Sequence, residues 1–363
     1  MILNNCMVLL TAYIEKDQNV LIRPISIFFG LLMNFFYEIA AFFTQRHSLG
    51  ISIILLTIAA RFIMLPLALK AQKSTVKMQA VQPEVEKIRK RYEGLKDTES
   101  QQKMAREIQM VYSKNNVNMF GGCLPLLIQM PIFFALNDIM RRCYMFVNKL
   151  GDLYRQIAEA IISIPTKDPN AVPKYVADIG WAHLDPKEIE EGLKFNIKSV
   201  EGLQKILNKV TSGELKTLLE QVPADIHENL AGLISQKENI EHFVGINLFD
   251  NAGYMWPGIL IPILSAVLMF ASSYLMNKQQ KSSDEQTKMM QNMMLFGMPI
   301  FMGITTVSFP AGVGLYWVAS SAFQLGQQVI LNKFYKPSLT KDSAKPADKD
   351  VVKVIKDKKD KKK

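Results

Sequence analysis

The stretch GISIILLTIAARFIMLPLAL, residues 50–69, decides the fold, because its twenty residues include a single charged side chain, Arg61. An α-helix of this length is long enough to cross the hydrocarbon core of a bilayer. An arginine at mid-membrane costs about 2.5–3.5 kcal/mol on insertion scales, so such a residue normally faces protein or a wet cavity. The alternative is an arginine that extends along its helix to the membrane surface. Arg61 lies near the middle of the run, which favours a functional intramembrane charge.

Four further apolar stretches follow this one and indicate a polytopic membrane protein. The third of the five resulting spans is convincing on length alone, whereas the second, fourth and fifth are short or carry polar residues. A soluble helical core is the alternative for any one of them. Together they predict an all-α fold, a bundle of five transmembrane helices. The expected spans are residues 49–71, 121–145, 254–277, 293–309 and 312–333.

The charges between the spans predict how the bundle is oriented. Residues 70–120 hold 11 Lys and Arg against 6 Asp and Glu, and residues 333–363 hold 12 against 5. Residues 146–253 hold 11 basic and 16 acidic side chains. Basic loops remain in the cytoplasm, although a long loop crosses largely regardless of its charge. We therefore expect a multi-pass cell-membrane protein with the first two segments and the C-terminus in the cytoplasm, and the acidic segment outside.

Two segments on either side of the first span are expected to be helical. Residues 1–48 contain an apolar stretch, residues 20–43, whose polar positions share one face, as in an amphipathic helix that lies on the membrane surface. A sixth span is the alternative there. Residues 72–120 predict a basic helical hairpin with a turn at Gly94 and Asp97. A solvated charged linker is the alternative for this second segment.

The remaining segments carry weaker signals. Residues 146–253 show helical spacing of apolar residues, which predicts an extracellular helical insert of unassigned role. Residues 278–292 are expected to form a cytoplasmic loop. Residues 334–363 have almost no apolar content and end in a lysine-dense run, which predicts a disordered basic tail. Such a tail binds polyanions, either ribosomal RNA or anionic lipid headgroups.

Polar side chains within the spans suggest a hydrated groove around Arg61. Thr57 precedes Arg61 by four residues and therefore shares its side of the helix. Gln129 in the second span and Gln324 in the fifth add polar groups at membrane depth, although each alone is more often a hydrogen-bonding contact between helices. The only acidic residue in any span is Asp138, near an end. Water is therefore the expected partner of Arg61.

Several classes of activity lack their sequence signals. The chain has no P-loop pattern, no Ser/His/Asp arrangement, and no Cys and His spacing typical of a metal site among its three cysteines and four histidines. We expect no cofactor, no metal and no enzyme activity. A transporter of small solutes or anions is an alternative in which Arg61 binds the substrate, but no internal repeat is evident.

Three stretches resemble the YidC/Oxa/Alb family of membrane protein insertases in content, order and spacing. They are LGISIILLTIAARFIMLPLALKAQKSTVKMQAVQPEVEKIRKRYEG, GGCLPLLIQMPIFFAL and FPAGVGLYWVASSAFQLGQQ, and the resemblance covers about residues 25–145 and 245–335. The absence of a large domain before the first span is similar to the Gram-positive version. The resemblance implies a positively charged groove that opens to the cytoplasm. The positions that match groove or substrate-contacting residues are Arg61, Thr57, Gln129, Met130, Phe133, Tyr316 and Trp317.

The same resemblance implies partners. Family members insert and help to fold newly made membrane proteins, alone or with the Sec translocon, and contact ribosomes through a basic tail and hairpin. The lysine-rich residues 334–363 and the basic residues 72–120 suit such contacts. The insert at residues 146–253 departs from the family pattern, since most relatives have a short loop there.

Overall fold

The computed structural model describes residues 22–95, 97–117, 124–164, 200–208, 210–220, 222–277 and 285–334. These residues are mostly helical. The helices are α1 (Arg23–Phe43), α2 (Ser48–Arg91), α3 (Thr98–Lys114), α4 (Leu124–Arg141), α5 (Cys143–Phe146), α6 (Asn148–Ile162), α7 (Val200–Leu207), α8 (Ser212–Leu219), α9 (Ala224–Glu241), α10 (Leu260–Asn277), α11 (Glu285–Asn292), α12 (Met298–Thr306) and α13 (Ala311–Phe334). A π-helical turn, Met293–Gly297, joins α11 to α12, and the strands β1 (His242–Phe243) and β2 (Ile246–Asn247) form an antiparallel hairpin.

Helix α2 contains the Arg61 run and continues beyond it without a break. It is 44 residues long and includes Pro66 and Pro83. No glycine and no further proline follow Pro66 before Pro83, and residues such as Ala, Gln, Lys and Met favour a helix. The expected boundary between span and hairpin at residue 72 is therefore not a break in secondary structure, because one helix serves both segments.

A short turn connects α2 to α3, and the two helices pack side by side. Gly94 has a φ of 84°, a left-handed value that glycine adopts without strain. Asp97 caps α3 by accepting a hydrogen bond from the Ser100 backbone amide at 2.8 Å. Across the pair, Tyr92 donates to Glu107 at 2.9 Å, and this hydrogen bond raises the pKa of Tyr92.

Two boundaries differ from the sequence-based expectation. Helix α10 begins at Leu260, whereas the third span was expected from residue 254. Pro257 accounts for part of this difference, since proline suits turns and the first turn of a helix and is costly in the interior, although α2 accommodates Pro66 and Pro83. Residues 285–292 are helical although a loop was expected at 278–292. The first part of that loop, residues 278–284, lies outside the described residues, as does the tail from residue 335 onward.

Among the described residues, two helical segments have the length and composition needed to cross a membrane, Arg23–Phe43 and Ser48–Ser74. Shorter apolar helices are Leu260–Met276 and Met293–Thr306. Helix α1 packs on the first part of α2 and on α4. Its composition suits the sixth-span alternative as well as an interfacial helix, so its place relative to the membrane stays a prediction.

The described part of the insert forms a small helical unit on one end of the bundle. Helices α7 and α9 pack on α6, and α8 packs on α9. Buried leucine and isoleucine side chains from these helices join the core of the bundle in one cluster. The β-hairpin was not expected from the sequence, and its Phe243 packs directly over Gly50 of α2.

The insert also contains a buried ion pair. Lys237 Nζ lies 2.7 Å from Glu241 Oε2, and both side chains are 1% exposed. Tyr154 donates to the other carboxylate oxygen at 2.5 Å, and Lys237 also donates to the Val210 carbonyl at 2.9 Å. These contacts join α6, α9 and the turn before α8. Burial raises the pKa of both Tyr154 and Glu241.

The packing of α13 positions the site. This helix packs against both α2 and α10, and it contacts α4 less extensively. The side chains of α2, α4 and α13 therefore meet within the helical bundle.

Candidate functional site

Arg61 is held between α2 and α13 by a serine. Its Nε donates to Ser320 Oγ at 2.8 Å, and its Nη2 donates to the same oxygen. Ser320 is 2% exposed, while Arg61 is partly buried. Within the described part of the chain, Arg61 forms no salt bridge, and only Ser320 accepts a hydrogen bond from it. An arginine has five N–H donors, so this arrangement leaves part of the guanidinium available to water or to an anionic group.

A second polar contact lies one helical turn away on α13. Gln129 Nε2 of α4 donates to the hydroxyl oxygen of Tyr316, which is 3% exposed. Residues four apart lie on one face of a helix, so Tyr316 and Ser320 share a side of α13. Arg61 also interacts electrostatically with Tyr316. Helices α2, α4 and α13 thus each contribute at least one polar side chain to this region.

Polar contacts continue along the interface of α2 and α13. Gln72 Nε2 donates to Gln328 Oε1 at 3.4 Å. Gln72 lies three turns beyond Arg61 on α2, in the direction of the basic residues 72–120. The α2–α13 interface therefore has polar contacts both at Arg61 and nearer to the basic segment.

Aromatic rings adjoin the polar set. The rings of Phe133 and Trp317 stack at 5.2 Å with an interplanar angle of 8°. Phe309 meets both rings edge-on, at 5.0 Å from Phe133 and 5.8 Å from Trp317. Such offset and edge-to-face pairs are favourable beyond the area they bury. The three rings form a compact, largely buried apolar cluster between α4 and the start of α13.

The structure brings together only some of the residues expected from the sequence. Arg61, Gln129 and Tyr316 lie in the polar set, and Phe133 and Trp317 in the ring cluster. Thr57 is fully buried, and its hydroxyl donates to the Ile53 carbonyl of its own helix at 2.6 Å.

Met130 and Gln324 are exposed on α4 and α13. Neither has a hydrogen bond or ring contact to the cluster in the described ranges. The roles of Thr57, Met130 and Gln324 in a groove stay predictions.

Two residues of the site were not singled out by sequence reasoning. Ser320 lies in the expected fifth span, residues 312–333, and nothing in its spacing identified it as the acceptor for Arg61. Phe309 stands before Pro310, at the junction that leads into α13. An aromatic residue next to a helix start is a candidate for a packing contact, but the sequence did not indicate that its ring partner lies on α4.

The arrangement suits binding rather than bond-making chemistry. A cationic side chain, amide and hydroxyl groups, and stacked rings are able to contact an anionic or polar segment on one side and an apolar segment on the other. Among the described residues, no three His, Cys, Asp or Glu side chains are grouped so that they could hold a metal ion.

Comparisons with known proteins identify relatives over most of the chain. A family model described as "60Kd inner membrane protein" matches residues 40–173 and 214–338. "Membrane protein insertase YidC 1" of Lactococcus lactis is 29% identical over 318 residues, which are 88% of this chain and 81% of the relative. "Membrane protein insertase YidC" of Enterococcus faecalis is 27% identical over 84% of this chain and 74% of the relative. The protein of the same name in Oceanobacillus iheyensis is 25% identical over 82% of this chain and 78% of the relative.

Proposed function

The chain belongs to the YidC/Oxa family of membrane proteins, the family described as "60Kd inner membrane protein", and from this membership we propose that it is a membrane protein insertase. It acts in the cell membrane on newly made membrane proteins. The observation that carries the proposal is Arg61, held by Ser320 at a helix interface with no carboxylate beside it among the described residues.

The work of such a protein is energetic. A hydrophilic tail that crosses a bilayer must lose its water, and this desolvation sets the barrier. A groove that holds water and a positive charge part of the way across shortens the dehydrated path. Arg61 attracts the tail when the tail is acidic, and the polar groups of Gln129 and Tyr316 supply further hydrogen-bonding partners.

The apolar part of the substrate leaves by a different surface. The ring cluster of Phe133, Trp317 and Phe309 offers a contact for the substrate helix as it moves along the third and fifth spans into lipid. In this arrangement five spans form a bundle whose groove opens to the cytoplasm and to lipid. No nucleotide is required.

The segments outside the bundle follow from the same proposal. The helices of residues 72–120 and the lysine-rich tail lie in the cytoplasm, where their positive charge contacts the ribosome that makes the substrate. The protein works alone or beside the Sec translocon. Its insert at residues 146–253 lies on the extracellular side of the membrane.

Photocrosslinking tests whether a protein segment enters the site. Crosslinkers at Phe133 and Trp317 are expected to capture a stalled nascent membrane protein, and one at Ile300, an exposed apolar position on α12, serves as the lipid-facing control. Thr57 is a stricter probe, since it is fully buried and reacts only when the helices part. If none of these positions captures more nascent chain than Ile300 does, the result contradicts a protein substrate. It would favour the alternative, a transporter of small solutes.

Substitution of Arg61 tests the electrostatic step. In a reconstituted insertion assay, Arg61→Ala is expected to lower the insertion of a substrate with an acidic tail more than that of the same substrate with a neutral tail. Arg46→Ala, which removes an exposed arginine shortly before α2, is the matched control. Equal insertion of both substrates by Arg61→Ala and by the unaltered protein would remove the charge from the mechanism.

A further inference from the structure

Three consecutive large side chains are exposed immediately before the third span. Tyr254, Met255 and Trp256 are 73%, 83% and 76% exposed. We name these three residues the aromatic tip. Large apolar side chains that cluster at a surface generally mark a contact with another molecule or with a membrane.

The backbone on both sides of the aromatic tip is well held. Before it, the Ala252 amide donates to the Phe309 carbonyl and the Gly253 amide donates to the Val307 carbonyl, both at 3.2 Å. After it, helix α10 begins at Leu260. The tip is therefore placed firmly relative to the bundle, although its own side chains project from it.

The chemistry of the tip and its neighbours favours a lipid surface. The tip carries no charge, and Tyr and Trp combine an apolar ring with one polar group, which suits the level of the headgroups at the edge of a membrane. Helix α10 continues the apolar surface along its length. Its exposed apolar and aromatic side chains are Ile263, Leu264, Val267, Phe270 and Tyr274.

We propose that the aromatic tip lies in the headgroup region of the outer leaflet and sets the depth at which the third span begins. The tip also follows directly on the end of the insert. There, residues 250–253 form backbone contacts with residues 307–311, which lead into α13. The insert is thus attached both to the bundle and to lipid at this point. The inference rests on the proposed membrane orientation and does not require insertase activity.

The depth of Trp256 in lipid tests the proposal. The full chain with Trp181→Phe and Trp317→Phe keeps Trp256 as its one tryptophan, and it is reconstituted in bilayers that carry a spin label either near the headgroup or deep in the acyl chains. Two reference proteins also carry Trp256→Phe. One adds Val267→Trp on the exposed side of α10, and the other adds Asn229→Trp on an exposed position of the insert.

The expected result is a larger loss of Trp256 fluorescence with the shallow label than with the deep one, and little loss with aqueous iodide. Val267→Trp should respond more to the deep label, and Asn229→Trp mainly to iodide. Iodide quenching of Trp256 equal to that of Asn229→Trp would place the tip in water and overturn the proposal. Shielding from all three quenchers would also overturn it, in favour of contact between two copies of the chain. Insertion activity is measured on the unaltered chain, because Trp317→Phe changes the ring cluster, and its absence there would bear on the proposed function alone.

Discussion

Replacement of Lys237 by methionine is expected to open the insert near the end of α9. Lys237 and Glu241 form a pair in which each side chain is 1% exposed. The substitution leaves the Glu241 carboxylate buried with Tyr154 as its remaining side-chain donor. Removal of one partner of a buried ion pair typically costs about 3–5 kcal/mol, because the other charge stays in a site of low polarity without compensation.

The defect should depend on pH. Burial raises the pKa of Glu241 above its ordinary value of 4.5, and Lys237 opposes that rise. Without Lys237 the pKa of Glu241 rises further. A carboxyl group with a raised pKa in the folded protein contributes its full stability below the ordinary value and loses it as pH rises through the raised pKa. The cost of Lys237→Met is therefore smaller in acid than at neutral pH.

Cys143 provides the assay. It is fully buried in the same hydrophobic cluster as Tyr154, which donates to Glu241, so it reports on local opening beside the pair. With Cys6 and Cys123 replaced by alanine, maleimide labels Cys143 only when this region opens. A cost of about 3–5 kcal/mol corresponds to labelling that is roughly 150- to 5,000-fold faster.

A matched control is present on the neighbouring helix, α8, which pairs with the same helix α9. Lys216 forms an exposed ion pair with Glu238 at 2.7 Å, and exposed pairs contribute about 0–1 kcal/mol. Lys216→Met should therefore label Cys143 at nearly the original rate. The double variant Lys237→Met/Glu241→Gln removes the buried charge and keeps an acceptor for the tyrosine, so it should recover most of the protection. Labelling of Lys237→Met at the rate of Lys216→Met, at every pH, would refute the reasoning.

Three further outcomes are expected. Gly50→Ala places a methyl group against the Phe243 ring and should lower the thermal stability measured in detergent by about 1–3 kcal/mol, with partial recovery when that ring is reduced to leucine. Asp97→Ala should speed hydrogen exchange in the first turn of α3. In the unaltered protein the Ser100 hydrogen bond lowers the pKa of Asp97 below its ordinary value of 3.8. The Asp97 carboxylate therefore protects the amides of this turn from exchange above pH 3.8, and this protection is lost as pH falls through the lowered pKa. Ser320→Ala removes the hydrogen-bond acceptor of Arg61 and should lower insertion of acidic-tailed substrates, while Arg61 substitutions then add little further loss.

The helical content of the described residues followed well from local sequence, with two informative exceptions. The apolar run and the helix-forming residues after it predicted helices, but their union in one helix to Arg91 was not expected, because a membrane boundary is not a secondary-structure boundary. The β-hairpin of the insert was also missed. Its turn uses Gly245 with a φ of 78° after Val244, and strands of two residues are too short to show an alternating pattern.

The candidate site was predictable in part. Arg61 was identified from its cost in a membrane, and Gln129 from its place in an apolar run. Thr57 shares the face expected from helical spacing, yet its hydroxyl bonds to its own helix, because a threonine is able to reach the carbonyl four residues earlier.

The sequence by itself determined that a charged helix of membrane-spanning length is present, since length and hydropathy belong to a single segment. It also determined the family, through motifs that lie within continuous stretches of chain. Only the tertiary structure decided that Ser320, 259 residues away, receives the hydrogen bonds of Arg61, and that Phe309 joins the rings of Phe133 and Trp317. Such contacts depend on how the helices pack against one another, and the periodicity of one helix carries no information about its partner's register.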